Sequence, residues 1–241
     1  MEQKLIAYRC LKRGGLLSID MLEGIRRGVL EVLSADEEGV LAYAPESGLY
    51  SVSAFTDEAA HRHLDAALSR GGRFFCVHQR RLVDVLGKDW DFSFFLECVQ
   101  SVYLSKEPPA VPALCEFRTL TPDAAEWVCR NYHNDPEDLE YIRGQMAKGV
   151  FIGAYVGERC AGFIGRHDDG SMGFLDVLPE FRRLGMGAAL QRRAVGDELE
   201  RGNVPYGQVV WDNHASLSLQ KSVGMTVSSD HLWWLELRDK G

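Results

Sequence analysis

The chain has 241 residues, a formal charge of −8 and a pI near 5.4, and an acidic surface repels nucleic-acid phosphates and anionic membranes, so neither is an expected partner. Apolar residues at 46% and charged residues at 26% are an ordinary globular mixture with material for a core, which argues against disorder. The length suits one large domain or two compact units of about 100–150 residues each.

In the first part, Met21, Leu22, Ile25, Val29, Val32 and Leu33 recur at helical spacing, which predicts an amphipathic helix over Ile19–Leu33 with Ser18 or Asp20 at its N-terminus. Short apolar runs at Val40–Tyr43 and Leu49–Phe55 predict strands, followed by a capped helix over Asp57–Leu68. A β-rich run, Phe74-Phe75-Cys76-Val77, and a strand or strand pair over Phe92–Leu104 complete this part. It reads as α/β, with no nameable chemistry. The segment from Ser105 to Pro112 carries three prolines within five positions (Pro108, Pro109, Pro112), which removes amide donors and marks a linker. The expected division is an N-terminal α/β domain over 1–106 and a second domain over 112–241.

The second part opens with a strand at Leu114–Arg118 and a helix start at Thr121-Pro122, with Thr121 as cap and Pro122 in the first turn. A helix over Pro136–Ala147 ends at Lys148-Gly149. Three meander strands follow, Val150–Val156, Cys160–Arg166 and Met172–Val177. Then come a helix over Gly185–Arg201, a strand at Gly207–Trp211, a helix over His214–Val223 and a closing strand at His231–Leu237. The order is that of a mixed α/β layer system. The six cysteines (Cys10, Cys76, Cys98, Cys115, Cys129, Cys160) are scattered without Cys-x-x-Cys spacing and read as reduced thiols with no metal site. No run approaches the roughly 20 apolar residues of a membrane span, and the first residues form no apolar signal region, so a cytoplasmic location is expected.

The most informative string is Phe174-Leu175-Asp176-Val177-Leu178-Pro179-Glu180-Phe181-Arg182-Arg183-Leu184-Gly185-Met186-Gly187-Ala188. A strand runs into a turn, and two glycines open a helix. Glycines without Cβ let a diphosphate come close to the backbone, and the free amides of a first helical turn point at it along the positive end of the dipole. Arginines just upstream add charge-assisted bonds. Glycines also relieve crowding where a helix packs on a strand, so the pattern alone has two explanations. The spacing is neither a P-loop nor a dinucleotide fingerprint.

This string resembles the acyl-CoA signature of the GNAT acyltransferase superfamily, Arg/Gln-x-x-Gly-x-Gly/Ala after a strand ending Val-x-Pro, here Arg182, Gly185, Gly187, Val177 and Pro179. Downstream, Val210 to Met225 resembles the second motif, an Asn after a strand followed by a helix that ends in Gly-Phe, here Asn213 and Gly224-Met225. The resemblance covers residues 112–241. It implies a GNAT fold for the second part, a mixed, mostly antiparallel twisted sheet flanked by helices. It also implies an N-acyltransferase using acetyl-CoA or another acyl-CoA as co-substrate, with a small primary amine as acceptor. By the same resemblance, Leu175, Asp176 and Val177 would offer backbone groups to the pantetheine arm and thioester. Arg182 and the amides of Arg183, Leu184, Gly185, Met186, Gly187 and Ala188 would hold the pyrophosphate, and Asn213 and Ser216 would lie near the pantetheine. Asn213 is equally a helix cap. The two-part chain and the pair Trp233-Trp234 are similar to the glycine N-acyltransferase-like branch, which places a degenerate α/β half before the catalytic one; paired tryptophans are also ordinary packing residues.

The catalytic side chains depart from the family. The position of the family's thiolate-protonating tyrosine holds Gln220, and the positions of its basic glutamate hold Ser171 or Gln208. Gln220 and Ser171 are therefore the candidate catalytic positions, without the usual side chains. Strand alternation counted from Ser171 would put Asp176 on the opposite face. His133, His167, His214 and His231 are alternative proton relays. Two readings stay open: direct attack of an amine on the thioester, assisted by positioning, and a non-catalytic acyl-CoA sensor.

Overall fold

The computed structural model describes residues 2–133 and 139–238. In chain order the helices and strands are α1 (Glu2–Leu11), α2 (Ile19–Arg27), β1 (Glu31–Ala35), β2 (Gly39–Ala44), β3 (Leu49–Ala54), α3 (Asp57–Leu68), β4 (Phe74–Val77), α4 (Arg80–Leu86) and β5 (Phe92–Val102). They continue with β6 (Glu116–Thr119), α5 (Ala125–Asn131), α6 (Leu139–Ala147), β7 (Ile152–Val156), β8 (Arg159–Arg166), β9 (Met172–Val177), α7 (Met186–Glu200), β10 (Tyr206–Val210), α8 (His214–Val223) and β11 (Thr226–Leu237). The predicted start of α6 at Pro136 lies outside the described residues.

Two compact units result: Met1–Ser101 with Gln208–His214 and Val227–Gly241, and Val102–Gly207 with Ala215–Thr226. The division is thus not a single cut at the proline-rich segment, because the C-terminal strand residues group with the first unit. The reason is pairing. β11 runs antiparallel to β4, with Trp233 opposite Val77 and Leu235 opposite Phe75.

In the first unit the sheet order is β1-β2-β3-β4-β11-β5-β10. The helix predicted to reach Leu33 stops at Arg27, because Gly28 takes a left-handed conformation (φ +77°) and its amide closes the last turn on the carbonyls of Gly24 and Ile25. Val32 and Leu33 beyond it enter β1 instead. α3 begins where Thr56 Oγ accepts the amide of Ala59 at 3.2 Å. It buries Ala60, Leu64 and Ala67 against Leu41, Val52, Phe75, Leu82 and Leu235. α1 and α4 carry too few inward positions to stand out in the sequence; α1 buries only Ala7, Cys10 and Leu11.

In the second unit β6-β7-β8-β9 is wholly antiparallel. One face packs Phe151, Phe163 and Phe174 under Val128 of α5 and Ile142 and Met146 of α6. The other packs Ala154, Ile164 and Met172 under Leu190, Ala194 and Val195 of α7. Thr121 makes no side-chain cap; Pro122 opens a short 3-10 turn before α5. β9 has a bulge. Phe163 faces Asp176 and Gly165 faces Gly173, so two steps in β8 match three in β9, and Phe174 takes φ +55°. Met172, Leu175 and Val177 consequently share the α7 side while Phe174 turns to the α5–α6 side. The bulge overturns the simple alternation counted from Ser171 to Asp176.

Among the described residues no helix is long and apolar enough to cross a membrane.

Candidate functional site

Phe181 and Met186 are buried together on Ala161, and between them Arg182, Arg183, Leu184 and Gly185 are exposed. Two apolar anchors thus lift a four-residue turn off the sheet at the N-terminus of α7. Arg183 (φ +61°) and Gly185 (φ +85°) both take left-handed backbone, and a left-handed residue followed by a helical one turns successive amides to one side, an arrangement that suits anions. Ala189 is the first amide bonded back into this end, to the Gly185 carbonyl at 3.0 Å. The amides of Met186, Gly187 and Ala188 belong to the first turn, whose N–H groups have no intrahelical acceptor.

The two glycines differ in what they require. Gly185 needs its left-handed conformation, and an added Cβ would also meet Leu114 Cδ1 at 3.0 Å. Gly187 is an ordinary helical residue. A Cβ there would meet Leu219 Cδ2 and Val177 Cγ2 at 3.6 Å and Leu219 Cδ1 at 4.0 Å, all normal van der Waals contact. Crowding between helix and strand therefore does not explain Gly187.

β9 is the last strand of its sheet, so among the described residues one edge has no ladder partner. The Val177 carbonyl points to that edge, where Arg182 Nε donates to it at 2.7 Å; by the two-residue period the peptide groups of Leu175 face the same way. Asp176 points to the α5–α6 side. Its Oδ2 accepts both the amide and Nδ1 of His133, each at 2.9 Å, while Oδ1 lies 3.4 Å from the Arg182 guanidinium. Arg182, expected at the pyrophosphate, is here engaged by its own strand.

Ser171 is buried, and its amide and Oγ both donate to Asp169 Oδ1, at 2.9 and 2.7 Å. Gln220 is buried in α8, and its backbone carbonyl accepts the Met225 amide at 3.0 Å. Ser216 is half-buried in the second unit, whereas the exposed Asn213 groups with the first. Gln208 also belongs to the first unit. Its Nε2 donates to Asp20 Oδ2 at 3.3 Å and its Oε1 accepts Trp234 Nε1 at 2.8 Å.

Of the other histidines, His167 lies against Phe174 and faces the Tyr141 hydroxyl at 3.4 Å; burial holds its imidazole below the usual histidine range. His231 Nδ1 pairs with Glu97 Oε1 at 2.5 Å in the first unit, and His214 is the exposed first residue of α8. Sequence reasoning placed Asp176 among the cofactor contacts and missed its union with His133, which no local spacing encodes.

Two other features do not join this site. A cavity of about 430 Å³ runs along the later part of α7, lined by Arg166, Arg193, Asp197, Glu198 and Arg201 among others. It contains none of residues 182–188, and several of its charges pair with one another, as in Arg166–Glu198 at 2.8 Å. In the first unit Asp20, Cys76 and His78 converge while buried. His78 Nε2 donates to Asp20 at 2.8 Å and Nδ1 lies 3.1 Å from the Val52 carbonyl, so both ring nitrogens donate and the chemistry is that of an ion pair.

A family model described as FR47-like protein matches residues 149–234. No curated protein matches the chain significantly by sequence. Among solved structures, a Drosophila protein superposes with a TM-score of 0.64 at 18% identity, covering 94% of this chain and 90% of its own. A GCN5-related N-acetyltransferase from Kribbella flavida superposes with 0.58 at 11% identity, covering 93% and 98%. Another from Sphaerobacter thermophilus gives 0.56 at 15% identity, covering 96% and 90%. The chain therefore has the fold of the GNAT acetyltransferases.

Proposed function

We propose that the protein is an acyl-CoA-dependent N-acyltransferase, with acetyl-CoA as donor and the primary amine of a small molecule or amino acid as acceptor. The observation that carries this reading is Gly187, whose missing Cβ has no packing reason at a helix start flanked by Arg182 and Arg183. A diphosphate fits that place. The amides of Arg183 to Ala188 would hold it, and the outward peptide groups of Leu175 and Val177 would bind the pantetheine arm and orient the thioester. Ser216 would be a further contact that the family resemblance implies. The two-part chain's likeness to the glycine N-acyltransferase-like branch favours an amino-acid amine.

The reaction would be direct attack of the amine on the thioester carbonyl, which needs proximity and a dipole-lined oxygen site. A second reading, a non-catalytic acyl-CoA sensor, is favoured by the side chains at Ser171, Gln208 and Gln220, none of which is the family's usual acid or base.

Calorimetry with acetyl-CoA tests the binding claim. Gly187→Ala fits the fold and should be neutral or stabilising by about 0.5–1 kcal/mol, since alanine favours helix over glycine. It should nevertheless weaken acetyl-CoA binding. Unchanged affinity in the folded variant would remove the pyrophosphate assignment, and binding without turnover over a broad amine panel would favour the sensor.

A further inference from the structure

We propose that His133, held by Asp176, is the general base that deprotonates the acceptor amine, an inference that rests on the acyltransferase reading above. Three observations converge on it. His133 directs Nδ1 to Asp176 Oδ2 at 2.9 Å, and its own amide donates to the same oxygen at 2.9 Å. Two donors from one residue on one carboxylate oxygen fix both the backbone and the ring. An imidazole that donates through Nδ1 to a carboxylate presents Nε2 as a lone pair, the arrangement that orients a histidine base.

The second observation is exposure. The His133 side chain is 56% exposed and that of Asp176 only 11%, so the orienting acid is shielded while the ring reaches solvent. The third is place. Asp176 sits between Leu175 and Val177, the β9 residues whose outward peptide groups are proposed to hold the thioester. The base is thereby tied to the strand that positions the electrophile.

Among the described residues, the charged and titratable groups near His133 are Asp176 on β9 and Arg182 on the following turn, whose guanidinium lies 3.4 Å from the other Asp176 oxygen. Tyr141 and His167 lie on the same side of the sheet, against Phe174. His167 is the weaker candidate, because its ring is packed against Phe174 beside Tyr141 and burial lowers its basicity.

His133 Nε2 takes a proton from the acceptor ammonium, and the freed lone pair forms the C–N bond at the thioester carbonyl. The C–S bond breaks with its electron pair leaving on sulfur. The second proton shed by nitrogen goes to the thiolate, and the imidazolium releases its proton to solvent.

The experiment follows acetyl-CoA turnover from about pH 6 to 10 with two primary amines of different basicity, in wild type, His133→Ala and Asp176→Asn. An acidic limb at the same pH for both amines is expected in wild type. His133→Ala should abolish that limb and lower kcat by about 10²-fold, the lower end of general-base effects, with unchanged acetyl-CoA affinity by calorimetry. Added imidazole should restore part of the rate. Asp176→Asn should lower kcat and weaken the preference for the Nδ1 tautomer, and nitrogen NMR of wild type should show His133 protonated on Nδ1 when neutral. A limb that moves with the amine, an Nε2-protonated ring, or binding without turnover of any amine would overturn the base. Failure of acetyl-CoA to bind wild type would instead overturn the acyl-CoA reading beneath it.

Discussion

Phe174 and His167 stack with ring centroids 4.0 Å apart, and Phe174 does so from left-handed backbone at φ +55°. A bulky residue seldom adopts that region. The ring also meets Phe151 at 4.9 Å and Tyr132 at 5.7 Å, so packing sustains the bulge that orients β9. Phe174→Ala should cost about 3–5 kcal/mol in urea unfolding, as expected for a buried aromatic. Phe174→Gly should be no worse than alanine, because glycine regains the left-handed conformation. If glycine is clearly worse, by the roughly 0.5–1 kcal/mol usual in a strand, backbone strain at this position is not significant.

The buried pair Asp20–His78 makes stability depend on pH. The Asp20 carboxylate and the Val52 carbonyl hold the His78 imidazole above the usual histidine range despite the opposing effect of burial. A raised native value means that the folded chain binds the proton more tightly than the unfolded chain. The stabilisation is therefore complete below the ordinary histidine value of about 6.5 and is lost as pH rises from there through the raised native value. Unfolding temperature should fall over that window. His78→Gln should flatten this dependence, and Asp20→Ala should cost about 3–5 kcal/mol near neutral pH by leaving a buried cation without its partner.

Elements built from local signals were readable in the sequence. The capped helix α3, the meander β7–β8–β9 and the glycine-opened α7 each depend on residues near one another in the chain. Gly28 ended α2 early although the apolar spacing continued to Leu33, because a left-handed glycine overrides periodicity. What the sequence did not disclose is long-range. β11 pairs with β4, Gln208 reaches Asp20 across 188 positions, and His133 reaches Asp176 across 43. The bulge was hidden for another reason: a phenylalanine with positive φ has no compositional signature, and one extra residue inverts every parity argument beyond it.

Arg182 presents a competition. Its Nε bonds the Val177 carbonyl at 2.7 Å and its guanidinium nears Asp176, so a pyrophosphate would have to draw it from those partners. The net gain should be smaller than the roughly 1.5–3 kcal/mol of a bond to a charged group. Arg182→Ala should weaken CoA binding about tenfold, or about 1.4 kcal/mol. The loss should shrink as salt screens the charge. Calorimetry at low and high ionic strength checks this, and a salt-independent loss would mean that Arg182 acts by holding the end of β9.

Gln220 occupies the position where the family resemblance places a proton-donating tyrosine, and its surroundings decide what substitution there can do. The residue is 7% exposed, within the last turn of α8, where its carbonyl closes the chain onto Met225. Glutamine donates a hydrogen bond but no proton, so general acid catalysis worth about 10²–10⁴ is not available from it. In the mechanism proposed above the thiolate takes its proton from the attacking nitrogen. Gln220→Ala should therefore lower turnover by less than about tenfold, well under that general-acid range. Gln220→Tyr should not restore an acid. A ring placed in a site filled by glutamine overpacks it, which typically costs about 1–3 kcal/mol, and the phenol would be oriented by that strain rather than by the thioester. Urea unfolding together with kcat of both variants distinguishes the cases. A stable tyrosine variant with raised kcat would show that the space beside the sulfur accepts a ring and that proton delivery to the leaving group limits the rate.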